Sequence, residues 1–152
     1  MTINKTASPE AGTGARQHWM SVLARAAEES LEQWLEQLGC PKYRHLRAPE
    51  IGLAMVRGRT GGTGNPFNLG EMTMSRCVVE LPSGTLGFGY VQGRSRRHAE
   101  LAAVFDALLQ QDEGLQKTLI KPLHDEWLAA RREQSRKAAA TRVNFMTMVR
   151  GE

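Results

Sequence analysis

Apolar residues at helical spacing predict two short amphipathic helices near the start of the chain. The first spans residues 16–29 and the second spans residues 30–39. Ser30 and Gln33 form a capping box at the start of the second helix, and Gly39 ends it. The repeating apolar positions are Trp19, Val22, Leu23 and Ala26 in the first helix and Leu31, Trp34, Leu35 and Leu38 in the second.

The middle of the chain predicts three β-strands, at residues 50–57, 71–81 and 85–93. Pro82 presets its own backbone angle and Gly84 accepts a positive φ, so a tight turn is expected between the second and third strands. Strands that are joined by tight turns run antiparallel. We therefore expect a three-stranded antiparallel meander.

The third strand has two unlike faces. Leu86, Phe88 and Tyr90 alternate with Gly87 and Gly89, so one face is apolar and the other carries no side chains. Glycine inside a strand marks a close approach of neighbouring backbone. We expect another element to pack closely against the glycine face.

Two further helices are predicted after the sheet. Ser95 caps the first, whose apolar stripe ends before Gly114. The second is long and polar and spans residues 122–140.

The predicted fold class is α+β: a three-stranded antiparallel meander sheet flanked by an N-terminal helix pair, a helix after strand 3 and a long C-terminal helix. Residues 1–14 are predicted to be a disordered tail, and residues 15–152 a single domain with a C-terminal interaction segment.

Composition and charge narrow the classes of function. The 152 residues suit one domain, and no apolar run is long enough to span a membrane, so we expect a cytoplasmic protein without a membrane partner. The net charge is +4. Basic residues cluster at 93–98 and 130–142, which indicates an acidic partner or a phosphorylated ligand.

The chemically reactive side chains do not form a recognisable centre. Cys40 and Cys77 lie in no metal-binding or redox motif, so two reduced, partly buried thiols are expected. The four histidines are not spaced as ligand pairs, and we predict no bound metal. No nucleophile stands beside a base in the sequence, so no catalytic residue is assigned.

The last residues of the chain are apolar again, at 142–151. Exposed apolar segments of this kind mark interfaces. Two interpretations remain open, in which the segment either folds back on its own domain or is buried in a partner. The candidate interface residues are Arg142, Val143, Phe145, Met146, Met148, Val149 and Arg150.

The stretch "RGRTGGTGNPFNLG", residues 57–70, predicts a long glycine-rich loop at 58–70, after the first strand. In a meander this loop and the helix start at 93–98 point to the same end of the sheet. Glycine-rich loops and helix N-termini both present free N–H groups to anions. A phosphate site is one interpretation and a loop that orders on a protein partner is the other. The candidate anion-binding residues are Arg57, Arg59, Gly61, Gly62, Thr63, Gly64, Gln92, Gly93, Arg94 and His98.

Several stretches together resemble the PhnG family, whose members are small subunits of the bacterial carbon–phosphorus lyase core complex. They are "RQHWMSVLA" (16–24), "GGTG" (61–64), "GTLGFGYVQGR" (84–94), "HAE" (98–100), "LIKPL" (119–123) and "TRVNFMTMVRG" (141–151). The resemblance implies action with PhnH, PhnI and PhnL in transferring the ribose triphosphate of ATP to methylphosphonate, with adenine displaced. It also implies a two-fold symmetric hetero-octamer that contains PhnI, PhnH and PhnJ.

The same resemblance implies that ATP, with Mg, is the substrate of the complex and that this chain alone binds no cofactor. The alternative function is a helix-turn-helix-like regulator that binds nucleic acid, because a basic protein with two N-terminal helices fits that class. The second predicted helix is acidic, however, which opposes contact with phosphates. We therefore expect no nucleic-acid partner.

Overall fold

The computed structural model describes residues 9–143 as four α-helices around a three-stranded antiparallel sheet. Side-chain burial is described from residue 13 onward. The elements are α1 (Pro9–Leu23), α2 (Glu28–Gln37), β1 (Arg44–Arg59), β2 (Pro66–Glu80), β3 (Leu86–Gln92), α3 (Arg96–Leu109) and α4 (Glu113–Ala140). The predicted α+β class is confirmed, and so are the N-terminal helix pair and the long C-terminal helix. α1 begins inside the stretch predicted as a tail, and residues 1–8 lie outside the described residues.

The sheet has the strand order β1-β2-β3, which confirms the meander. The turn between β2 and β3 is as predicted: the N–H of Gly84 donates to the carbonyl of Leu81, and Gly84 has a φ of +86°. β3 pairs only with the later part of β2, from Glu80↔Leu86 to Met74↔Gln92. Because β1 and β2 pair along their whole lengths, they extend well beyond β3.

The predicted long loop at 58–70 is wrong, because most of it is strand. β1 continues to Arg59 and β2 begins at Pro66, and these two residues pair with each other. A short 3-10 turn, Thr60–Gly62, and three further residues make the connection. Glycines lower strand propensity, but cross-strand pairing holds this segment extended.

α3 packs on the glycine face of β3, as the alternation in that strand predicted. A Cβ atom on Gly87 would lie 1.9 Å from the carbonyl oxygen of Ala103, and one on Gly89 would lie 2.0 Å from that of Ala99. The alanines of α3 and the glycines of β3 thus allow backbone to approach backbone. The core forms around this helix, between the sheet and the other three helices, with Phe105 and Leu23 among its largest buried side chains.

The boundaries of three helices differ from the predicted ones. α2 begins at Glu28 after Ala27, so the capping box is wrong; the Ser30 hydroxyl instead donates to Glu126 of α4 at 2.8 Å. α3 ends at Leu109 rather than near Gly114. α4 begins at Glu113, and Pro122 lies inside it rather than at its start. Asp112 caps α4 by accepting the backbone N–H groups of Gly114 and Leu115. This cap was not predicted, because the apolar pattern indicated a later start of the helix.

The two cysteines are both free, and their environments differ. Cys77 is fully buried and its Sγ atom donates to the carbonyl of Arg47 at 3.4 Å. Burial raises the pKa of the Cys77 thiol to about 11, and the nearby Glu100 charge acts in the same direction. Cys40 is exposed, so the prediction that both thiols are partly buried is wrong. No helix among residues 9–143 is long and apolar enough to cross a membrane.

Candidate functional site

The candidate anion-binding residues fall into two groups that the structure keeps apart. One group surrounds the turn between β1 and β2, and the other lies where β3 leads into α3. β3 ends opposite Met74, whereas the turn begins next to Pro66. At ~3.3 Å per residue, about 25 Å of two-stranded ribbon separates the groups. Both point toward the same end of the sheet, but they do not form one shared site.

The glycines of the turn group are explained by the turn itself. Gly61 and Gly62 have φ values of +60° and +83°, in the left-handed region that favours glycine. A Cβ atom on Gly64 would lie 2.6 Å from the carbonyl oxygen of Thr60. The Nη1 atom of Arg59 donates to the Gly64 carbonyl at 3.3 Å, so this arginine folds over its own turn. Thr63 lies exposed in the same turn, and anion binding by this group stays a prediction.

The helix-start group is partly engaged in holding the domain together. The Ser95 hydroxyl caps α3 by accepting the N–H of His98, and the same hydroxyl donates to the carboxylate of Glu28. The ring Nε2 atom of His98 donates to the carbonyl of Leu23 at 2.9 Å, which joins α3 to the end of α1. A carboxylate at the helix N-terminus disfavours a second anion there. Arg94 remains exposed and is the group's best placed cation; the other members are Gln92 and Gly93.

A buried carboxylate connects three elements of the fold. Asp106 is fully buried and accepts hydrogen bonds from Arg16 at 2.7 and 3.1 Å. It also accepts the Trp19 indole N–H at 2.9 Å and the Phe88 backbone N–H at 3.0 Å. The carboxylate therefore fastens α1 to α3 and caps the outer edge of β3. Sequence spacing offered no sign of this cluster, because Arg16 and Asp106 are 90 residues apart.

An open groove of about 610 Å³ lies beside this cluster, between α1 and β3. Its aromatic walls are Trp19, Phe88 and Tyr90, and the guanidinium carbon of Arg16 lies 5.6 Å from the centre of the Phe88 ring. The apolar face predicted for β3 is thus partly covered by α1. Tyr90 remains 47% exposed, so this face is still open to a further contact.

A second carboxylate, Glu100 of α3, accepts hydrogen bonds from three side chains: two lie at the start of β1 and the third is on α3. The Tyr43 hydroxyl lies 2.9 Å away, the Nε2 atom of His45 2.7 Å away and the Nη1 atom of Arg97 2.9 Å away. Burial acts to raise the pKa of Glu100, but hydrogen bonds from Arg97, Tyr43 and His45 outweigh it and lower that pKa. The nearest thiol, that of Cys77, is kept protonated by its own raised pKa. The arrangement serves to attach β1 to α3.

The second half of α4 extends away from the domain. Trp127 is its last large contact, with the guanidinium carbons of Arg25 and Arg131 at 4.6 and 5.2 Å from its ring centre. Nearly all of residues 128–143 are exposed, and most of the charged ones among them are basic. Of the candidate interface residues, Arg142 and Val143 are exposed. The others lie outside the described residues: Phe145, Met146, Met148, Val149 and Arg150.

Two comparisons with known proteins bear on this chain. A family model described as "Phosphonate metabolism protein PhnG" matches residues 14–151. A curated protein of Rhizobium meliloti (strain 1021) is 44% identical in an alignment of 151 residues that covers 95% of each chain. That relative is named "Alpha-D-ribose 1-methylphosphonate 5-triphosphate synthase subunit PhnG".

Proposed function

Because the chain belongs to the PhnG family of phosphonate metabolism proteins, we propose that it is an accessory subunit of the carbon–phosphorus lyase complex. In this role it is required, with PhnH, PhnI and PhnL, for transfer of the ribose triphosphate of ATP to methylphosphonate. Adenine is displaced and α-D-ribose 1-methylphosphonate 5-triphosphate is formed. The observation that carries the proposal is near-full-length similarity to a protein named as a subunit of that synthase.

The proposed assembly is a two-fold symmetric hetero-octamer of this chain with PhnI, PhnH and PhnJ type subunits in the cytoplasm. ATP, with Mg, is the substrate of the whole complex, and this chain contributes no cofactor of its own. Its role is to bind neighbouring subunits and to contribute positive charge to the complex. The basic second half of α4 and the exposed apolar side chains support a role exerted through protein contacts.

Omission of this chain tests the proposed function. We expect the remaining subunits, supplied with ATP and methylphosphonate, to form no ribosyl phosphonate until this chain is added back. The measurement is product formation by phosphorus NMR, together with the size of the assembly by light scattering. Full turnover without this chain would overturn the proposal, and so would failure of the chain to enter the assembly.

Arg94 is the residue of the anion candidates that we propose contacts a phosphate of ATP or of the product. We expect Arg94→Ala to lower kcat/KM of the reconstituted complex about tenfold to a hundredfold, which corresponds to ~1.5–3 kcal/mol for a lost charged hydrogen bond. Assembly should be unchanged. Lys117→Ala, which removes an exposed cation from α4, is the control and should leave turnover unchanged. Equal turnover of the two variants would remove Arg94 from the site.

A further inference from the structure

The two longest strands form an arm that no other described element covers. Beyond Gly52 and Met74, β1 and β2 pair only with each other, from Leu53↔Thr73 to Arg59↔Pro66. We call residues 53–73 the β-arm. It extends about 25 Å from the end of β3, at ~3.3 Å per residue.

The β-arm carries large apolar side chains in the open. Leu53 is 66% exposed and Leu69 is 67% exposed, and the side chains of Met55 and Phe67 are exposed as well. Leu53 of β1 pairs with Thr73 of β2. Two residues earlier in β1, Ile51 pairs with Ser75, which is buried. Directly paired residues point to the same face, and every second residue returns to it. The face that α3 covers near Ser75 therefore continues along the arm, where none of the four described helices lies over it.

The backbone of the β-arm is also open to a partner. β1 is an edge strand of the sheet, and β2 becomes one beyond Met74. The stretch 51–56, "IGLAMV", contains no charged residue and no proline that would block pairing. Isolated two-stranded ribbons are marginally stable in water. An arm with this composition is therefore best stabilised when another surface covers it.

The charge of the β-arm indicates what kind of surface would cover it. The tip of the arm carries Arg57 and Arg59, and the one acid of the arm, Glu71, lies nearer its base. A second copy of this chain is a poor partner, because two β1 edges would bring like charges together. β1 itself holds four arginines against one acid: Arg44, Arg47, Arg57 and Arg59 against Glu50.

We propose that the β-arm inserts into an apolar cleft on a different subunit of the complex, with carboxylates around the tip arginines. This inference rests on the proposed function. The apolar side chains Leu53 and Met55 supply the buried contact, and Arg57 and Arg59 select the acidic cleft over other apolar surfaces. The glycines of the turn then serve to make the tip narrow enough to enter.

A shortened arm tests the proposal. Deleting residues 53–56 together with 70–73 removes paired positions from both strands, while the tip and the alternation of faces are kept. We expect this variant to melt within a few degrees of the unaltered chain and to associate with the purified remaining subunits at least tenfold more weakly. Leu38→Lys, at an exposed leucine at the end of α2, is the control and should associate normally.

Point variants of the full-length chain test the same contact in case the shortened chain misfolds. Leu53→Lys and the double variant Arg57→Glu, Arg59→Glu should each weaken association at least tenfold, and the charge variant should lose the dependence of association on salt. A photo-crosslinking residue at position 53 should join to an acidic, apolar segment of another subunit. A crosslink to a second copy of this chain would overturn the inference.

The outcomes separate the two proposals. If the unaltered chain assembles normally and every arm variant does so with equal affinity, the β-arm inference fails and the subunit function stands. If the unaltered chain itself does not join the complex and position 53 forms no crosslink, both proposals fail.

Discussion

Gly87→Ala is expected to be among the most destabilising single methyl additions to the sheet. The new Cβ atom would lie 1.9 Å from the carbonyl oxygen of Ala103 and 2.9 Å from the backbone nitrogen of Ala107. Both are backbone atoms of α3, so no side chain can rotate away. α3 would have to lift from β3 along its buried face, and we expect a loss of about 3 kcal/mol or more in the free energy of unfolding.

Gly52→Ala is the matched control for that variant. Gly52 also lies in the sheet, but no neighbouring atom lies within 4 Å of where its Cβ would be. Its unfolding midpoint in urea should stay close to that of the unaltered chain, whereas that of Gly87→Ala should fall sharply, with both followed by tryptophan fluorescence. Similar midpoints for the two variants would contradict the close packing of α3 on β3.

Asp106→Ala is expected to have an effect of similar size for a different reason. The substitution leaves the Trp19 indole N–H and the Phe88 backbone N–H without their acceptor inside the protein. It also leaves the guanidinium of Arg16 without its counter-charge. Removing one member of a buried ion pair costs ~3–5 kcal/mol. Because the Arg16 side chain is 34% exposed and can turn to water, we expect the low end, about 3 kcal/mol.

Asp125→Ala provides the comparison for Asp106→Ala, because Asp125 is an exposed carboxylate on α4. Its loss should change the free energy of unfolding by less than about 0.5 kcal/mol. A double-mutant cycle with Arg16→Met should show strong coupling of Arg16 to Asp106. Additive effects of the two substitutions would mean that the ion pair contributes little to attaching α1.

The candidate sites show where sequence reasoning succeeded in part. The glycine-rich turn and the start of α3 were correctly placed toward one end of the sheet, because that follows from an antiparallel meander. Their separation was missed, because it depends on how far β1 and β2 pair beyond Met74. The glycine-rich composition of residues 58–70 predicted a loop, although pairing between β1 and β2 keeps most of this segment extended. The β-arm was missed for the same reason, although the uncharged run "IGLAMV" in β1 could have indicated it.

The sequence alone was enough to recognise the family, through stretches that resemble its members. The order of the elements was also determined by the sequence alone, because it rests on local chemistry. Ser95 caps the adjacent N–H groups, Gly84 adopts a positive φ, and Gly87 and Gly89 alternate with apolar residues; each signal acts within a few positions. The tertiary structure alone decided which distant groups meet. Asp106 pairs with Arg16, Ser30 turns to Glu126 instead of capping its helix, and Glu100 gathers Tyr43, His45 and Arg97. Such partners are set by strand register and helix packing, which bring together residues whose separation along the chain carries no information about their distance in space.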